Sequence, residues 1–106
     1  MPKYLVTATY TPEGIQGLMK DTASGRRAAV QSAVKGLGGK VEAFYYAFGA
    51  DDAVIILDLP DNVTAAAVGL TTSGSGAVRV RTTPLLTVEE VDKALGVQMK
   101  YRAPGK

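Results

Sequence analysis

The chain has no cysteine, no histidine and no tryptophan. The first absence removes a disulfide framework, a thiolate metal site and a cysteine nucleophile. The second removes the usual general base near neutral pH and the commonest ligand of zinc, copper and haem iron, and it excludes the Ser-His-Asp arrangement outright. Neither a cofactor nor a metal is expected from the side chains that remain. Long apolar runs are missing too. None approaches the roughly 20 residues of a membrane-spanning helix, and Met1-Pro2-Lys3-Tyr4 leads directly into a strand-like pattern without an apolar signal core. A soluble, cytoplasmic protein with no membrane association is the expectation. Charge of one sign is scarce as well. The formal net charge is +2, and Lys100, Arg102 and Lys106 supply three positive charges in an acid-free tail, which leaves −1 for everything before it. A globular nucleic-acid reader carries its positive excess on the folded face that meets phosphate, so nucleic acid is not an expected partner.

The residues that are present fit one small domain. A chain of 106 residues with 46% hydrophobic side chains buries only about two-thirds of its unfolded surface, so its core gains from any partner that extends it. The expected layout is a domain over residues 1–96 and a basic tail over 97–106. Lys3 to Tyr10 sets Tyr4, Val6, Ala8 and Tyr10 against Leu5, Thr7 and Thr9, the period of two of a strand. Thr11-Pro12-Glu13 reads as a helix entry, with Thr as cap and Pro at the first helical position. Gly14 and Gly17 weaken the helix beyond this entry, so a short helix or turn is expected over Pro12 to Met19, with a loop at Asp21 to Gly25. From Arg26 a stripe of Val30, Ala33, Val34 and Leu37 predicts an amphipathic helix, which Gly38-Gly39 ends.

Val41 to Phe48 and Ala53 to Leu59 form the next strands, a hairpin turning at Gly49-Ala50-Asp51-Asp52. Asp61 caps a helix whose predicted buried stripe is Val63, Ala66, Ala67 and Leu70. Ser73-Gly74-Ser75-Gly76 breaks it, and Ala77 to Thr83 is a fourth strand that Pro84 ends. Thr87 and Glu90 make a capping box that opens a short last helix with Val88, Val91 and Leu95 on one side.

The order βαββαβ plus a terminal helix is the ferredoxin-like α+β arrangement. Right-handed crossovers put both main helices on one face of an antiparallel sheet of strand order 4-1-3-2. The run Ala53-Val54-Ile55-Ile56-Leu57 has no polar face, so its strand needs cover on both sides, and one chain supplies helices for one. If the helices cover Val6, Ala8, Tyr45, Ile55 and Leu57, the open face carries Leu5, Phe44, Val54 and Ile56 together with Thr7, Thr9, Tyr46, Phe48, Asp58, Arg79 and Arg81. A sheet face this apolar is covered in functional proteins. A second copy is the expected lid, with Leu5, Phe44, Val54 and Ile56 at the interface and a central cavity between the two sheets.

The stretch from Gly38 to Pro60, Gly-Gly-Lys-Val-Glu-Ala-Phe-Tyr-Tyr-Ala-Phe-Gly-Ala-Asp-Asp-Ala-Val-Ile-Ile-Leu-Asp-Leu-Pro, resembles the GYD-domain family. Lys3-Tyr4-Leu5-Val6, Tyr10-Thr11-Pro12-Glu13-Gly14, Arg26-Arg27, Ser75-Gly76-Ala77-Val78-Arg79 and Pro84-Leu85-Leu86-Thr87 extend the likeness over nearly the whole chain. The family looks like a branch of the dimeric α+β barrel superfamily, and the resemblance therefore implies the same packed-sheet dimer. It departs at one point: the Gly-Tyr-Asp of the family name appears as Gly49 and Asp52 separated by Ala50 and Asp51, so Asp51 stands in the place of the tyrosine. The superfamily includes cofactor-free monooxygenases, isomerases, haem enzymes and ligand-sensing domains, among which a shared fold does not choose.

Arg79 and Arg81 share one strand face. Opposite Asp58 or Glu42 in a partly desolvated cavity, they could clamp a carboxylate or enolate bidentately, or form an ion-pair network between subunits. Tyr46, Phe48, Thr7 and Thr9 would add apolar walls and hydroxyls, as a small-ligand pocket requires. Asp51 and Asp52 are adjacent and point to opposite faces if the strand continues through them, so Asp52 is expected to cap turn amides and Asp51 to be solvated. Ser73 to Gly76 lacks the lysine and the succeeding helix of a phosphate loop. The leading expectation is a homo-oligomer that binds a small organic molecule between its sheets, with no reaction assigned; the rival is an assembly module without a ligand.

Overall fold

The computed structural model describes residues 1–106. Its elements are β1 (Lys3–Tyr10), α1 (Pro12–Gly36), β2 (Lys40–Tyr46), β3 (Ala53–Asp58), α2 (Asn62–Gly74), β4 (Val78–Leu85) and α3 (Val88–Gly96). The sheet is antiparallel in the order β2-β3-β1-β4, so the ferredoxin-like α+β topology with a terminal helix is the fold. α1 packs on β1 and β2, α2 packs on β4, and the buried core lies between these helices and the sheet: Tyr4, Val6 and Ala8 from β1, Ala53, Ile55 and Leu57 from β3, with Val34, Leu59 and Ala65. Ten of the 106 residues are buried, a thin core that leaves much apolar surface outside it. No helix is long and apolar enough to cross a membrane.

α1 begins as its residues dictate. Thr11 accepts from the Gly14 amide at 3.2 Å and Pro12 occupies the first turn. Gly14 is a packing residue: a Cβ there would overlap the Ala77 carbonyl where β4 begins. The helix does not stop before Asp21. It continues through a kink at Thr22 (φ 69°, ψ 162°), a backbone region sparsely populated by β-branched residues, and the Thr22 hydroxyl then caps the second segment by accepting from the Gly25 amide at 3.2 Å. The expected loop is thus reduced to one residue. At the other end the Gly38 amide donates to Lys35 and the Gly39 amide to Val34, with Gly38 at φ 79°, a Schellman closure.

Three further expectations are corrected. α2 turns Ala65, Val68 and Thr72 inward, and leaves Val63 and Leu70 exposed on the far side. Almost every position of Asn62–Gly74 is small or apolar, so a helical wheel offers no contrast to fix its rotation; Thr72 can face inward because its hydroxyl donates to the Val68 carbonyl at 2.7 Å. β4 runs through Pro84 to Leu85, which an edge strand allows because proline's missing N–H can face outward. β2 ends at Tyr46, and it carries a register shift between Val41 and Ala43. Strict alternation from Val41 would put Tyr45 under the helices. The extra residue, Glu42, reverses the phase: Phe44 pairs with Ile55 and Tyr46 with Ala53 on the helix side, while Tyr45 pairs with Val54 on the open side. Phe44 consequently packs on the core and is not on the face expected to meet a second copy.

Candidate functional site

The sheet face turned away from α1 and α2 is the candidate site, and the pairing arranges it in rows. Ala43, Ile56, Leu5 and Thr83 stand side by side across the four strands, then Tyr45, Val54, Thr7 and Arg81, and then Thr9 beside Arg79. Its apolar part lies over β2, β3 and β1, where Leu5, Thr7, Val54 and Ile56 are half-buried in the single chain. Its polar column lies along the edge strand β4.

Charges gather at the two ends of this face. At one end Lys3 Nζ donates to Asp58 at 2.8 Å and to Glu42 at 2.9 Å. These hydrogen bonds, that to Asp58 foremost, hold the Lys3 ammonium above its ordinary pKa. Asp58 and Glu42 are therefore taken by Lys3, and within one chain the condition that either faces the arginines is not met. At the other end Arg81 donates to Asp51 Oδ1 at 3.1 Å. Asp51 is only partly solvated: its side chain is 25% exposed, against 76% for Arg81. Asp52 caps no amide of the turn: its carboxylate accepts from the Tyr10 amide at the end of β1 at 2.8 Å, while its own amide donates to the Ala8 carbonyl. The Arg79 guanidinium has no ion pair. No cluster of three or more carboxylates is brought together.

The residues singled out in the sequence thus divide. Thr7, Thr9, Arg79 and Arg81 share one end of the open face; Asp58 lies on the same face at the opposite end; Leu5, Val54 and Ile56 lie between them. Tyr46 and Phe48 are not with them. The Tyr46 hydroxyl reaches the helix side and donates to the Ala23 carbonyl at 3.2 Å, just after the α1 kink. Burial first, and then the neighbouring Tyr10, push its phenol above the ordinary tyrosine value. Phe48 lies beyond the end of β2 and is fully exposed. The aromatic that does stand on the open face is Tyr45, 71% exposed. Alternation counted backwards from the Tyr46–Ala53 pair would have found it; alternation counted forwards from Val41 crosses the bulge and misses it.

On the opposite side, α1 and α2 do not close over the sheet. Between them runs an apolar groove of about 360 Å³ lined by Ala29, Val30, Ala33, Leu37, Ala67 and Val68, with Arg26 at one end.

The model of the family described as GYD domain matches residues 4–95. No curated protein and no solved structure matches the chain.

Proposed function

The chain belongs to the GYD domain family, and from that premise we propose that it works as a cytoplasmic homodimer whose open sheet faces meet and enclose a pocket for a small organic anion. The observation that carries this reading is the composition of the open face. Leu5, Val54, Ile56, Ala43 and Tyr45 form a continuous apolar surface that neither α1 nor α2 covers, and two sheets stacked about 10 Å apart would remove it from water on both copies. Arg79 supports the ligand. It stands beside Thr9 with no carboxylate of its own chain to neutralise it, so between sheets it needs an anion from elsewhere. A carboxylate or enolate fits the planar fork of the guanidinium, and the Thr7 and Thr9 hydroxyls could orient it. Arg81, already tied to Asp51, would shape the rim. We assign no reaction.

The rival reading, an assembly module with no ligand, is favoured by the internal pairing of Lys3 with Asp58 and Glu42 and of Arg81 with Asp51, which leaves Arg79 alone to recruit an anion. Native mass spectrometry of protein purified without denaturation separates the two. The expected result is a dimer, or an assembly of such dimers, carrying an additional small mass that Arg79→Ala loses without change in its state of assembly. A dimer of bare mass favours the assembly module, and a monomer at micromolar concentration refutes both.

A further inference from the structure

We infer that α3 of one copy docks into the groove between α1 and α2 of another copy, a second contact on the side of the molecule opposite the open sheet face. Two unpartnered apolar features meet this description, and they match in length and in charge. None of the residues of α3 is buried and no helix or strand packs along it. Its stripe of Val88, Val91 and Leu95 faces water, with Val88 76% and Leu95 78% exposed. The capping box nevertheless holds the helix in shape: the Glu90 amide donates to the Thr87 hydroxyl and the Thr87 amide to the Glu90 carboxylate. The chain is accordingly elongated, with a radius of gyration of 17.0 Å and a long dimension of 56 Å, where a compact chain of this length has about 13 Å.

A helix of nine residues is about 13 Å long, and the wall of the groove from Arg26 to Leu37 runs about 16 Å along α1. α3 carries Glu89, Glu90 and Asp92 against Lys93 alone. The facing walls carry the reverse: residues 22–37 contain Arg26, Arg27 and Lys35 and no acid, and α2 has no charged residue. Arg26 lines the groove itself and is held there only by an exposed contact with Asp21 at 3.5 Å. At 100° per residue Asp92 flanks the α3 stripe, placed to meet Arg26 when the stripe is seated.

The chain's own α3 cannot make this contact. Pro84, at the end of β4, lies beside Asn62 and Ala65 at the start of α2, so α2 stands between β4 and the groove. Leu86 and Thr87 together span about 7 Å, whereas a helix with its side chains is about 10 Å across. The occupant is therefore another copy. Because groove and open face lie on opposite sides, the contact joins dimers into larger assemblies, closing as a ring or a reciprocal exchange.

Light scattering of the full chain tests this. The wild type is expected to exceed the mass of a dimer, and Val91→Glu, at a position 42% exposed in the single chain, is expected to weaken the extra association about 100-fold and leave a dimer that still unfolds cooperatively. Ala33→Glu in the groove should do the same. Arg26→Glu should weaken it and Asp92→Arg, added to Arg26→Glu, should restore it. Against an Ile56→Asp background, α3-linked particles that Val91→Glu abolishes would persist even if the sheet contact is lost. Equal masses for wild type and Val91→Glu at high micromolar concentration overturn the inference, as does a cross-link between α3 and the groove of the same chain, or failure of the charge swap to rescue.

Discussion

Ile56→Asp addresses the open face directly. Ile56 stands between Leu5 on β1 and Ala43 on β2, at the centre of the apolar rows, and is half-buried in the single chain. In a separated protomer the new carboxylate reaches water, so the cost is partial loss of apolar burial and strand propensity, about 1 kcal/mol. Between two packed sheets it cannot be hydrated. The nearest cation on the face, Lys3, already serves Asp58 and Glu42, and Arg79 and Arg81 lie at the opposite end. An unpaired carboxylate in such a place costs about 3 kcal/mol. Twofold symmetry puts two in every dimer, for a loss of about 6 kcal/mol, or roughly a 10⁴-fold weaker association. Sedimentation equilibrium over about three decades of concentration reads that change, and melting curves at concentrations where both proteins are dissociated should show a fall of only about 5 °C, the protomer's own loss. An unchanged association constant in a variant that still melts cooperatively would refute the face assignment, and the ligand pocket would go with it.

Two glycines of α1 separate packing from conformational freedom. Gly14→Ala drives a methyl group into the fixed backbone of Ala77 and is expected to destabilise the fold by about 3 kcal/mol, whereas Gly17→Ala, with open space around it, should stabilise by about 0.5–1 kcal/mol; thermal melts of the two variants should move in opposite directions. In acid, Asp61 contributes through its hydrogen bonds from the Thr64 amide and hydroxyl, which hold its carboxyl below the ordinary value, and Glu90 through its bond from the Thr87 amide. A depressed carboxyl stabilises the folded state above its ordinary pKa and loses that contribution as pH falls through the lowered one. Melting temperature should thus decline between about pH 5 and pH 2, with a smaller decline in Asp61→Asn, which still caps α2; an identical decline in the variant would exclude Asp61 as a cause.

The elements themselves are legible in the residues because each has one dominant signal. The alternation of Lys3 to Tyr10 has a single phase, and Thr87 with Glu90 marks the start of α3 without ambiguity. What the residues conceal is rotation. In Lys-Val-Glu-Ala-Phe-Tyr-Tyr three successive aromatics make both faces of β2 apolar, and a bulge at glutamate leaves no glycine to betray it. In α2 the two competing stripes, Ala65 with Val68 and Val63 with Leu70, are equally apolar. The α1 kink is hidden for a related reason: Thr22 occupies a backbone region that glycine favours, while the nearby Gly25 is helical.

These differences of phase bear unequally on function. A one-residue change of phase exchanges a whole set of side chains between faces, so it takes Phe44 and Tyr46 out of the candidate site and brings Tyr45 in, yet it leaves β1 and β4 untouched. Thr7, Thr9, Arg79 and Arg81 keep their common face under either phase of β2, since β1 pairs with β4 without any shift in register. The anion-binding proposal accordingly rests on that pair of strands, and the dimer proposal on the β1–β3 pair, whose register is equally regular. β2 contributes the rim. Replacing Tyr45 by lysine should therefore weaken association less than Ile56→Asp does, because a long cationic side chain at an edge strand can turn out to solvent where an aspartate in the central rows cannot. Sedimentation equilibrium of the two variants side by side checks the order, and a Tyr45→Lys loss equal to that of Ile56→Asp would place β2 at the centre of the interface.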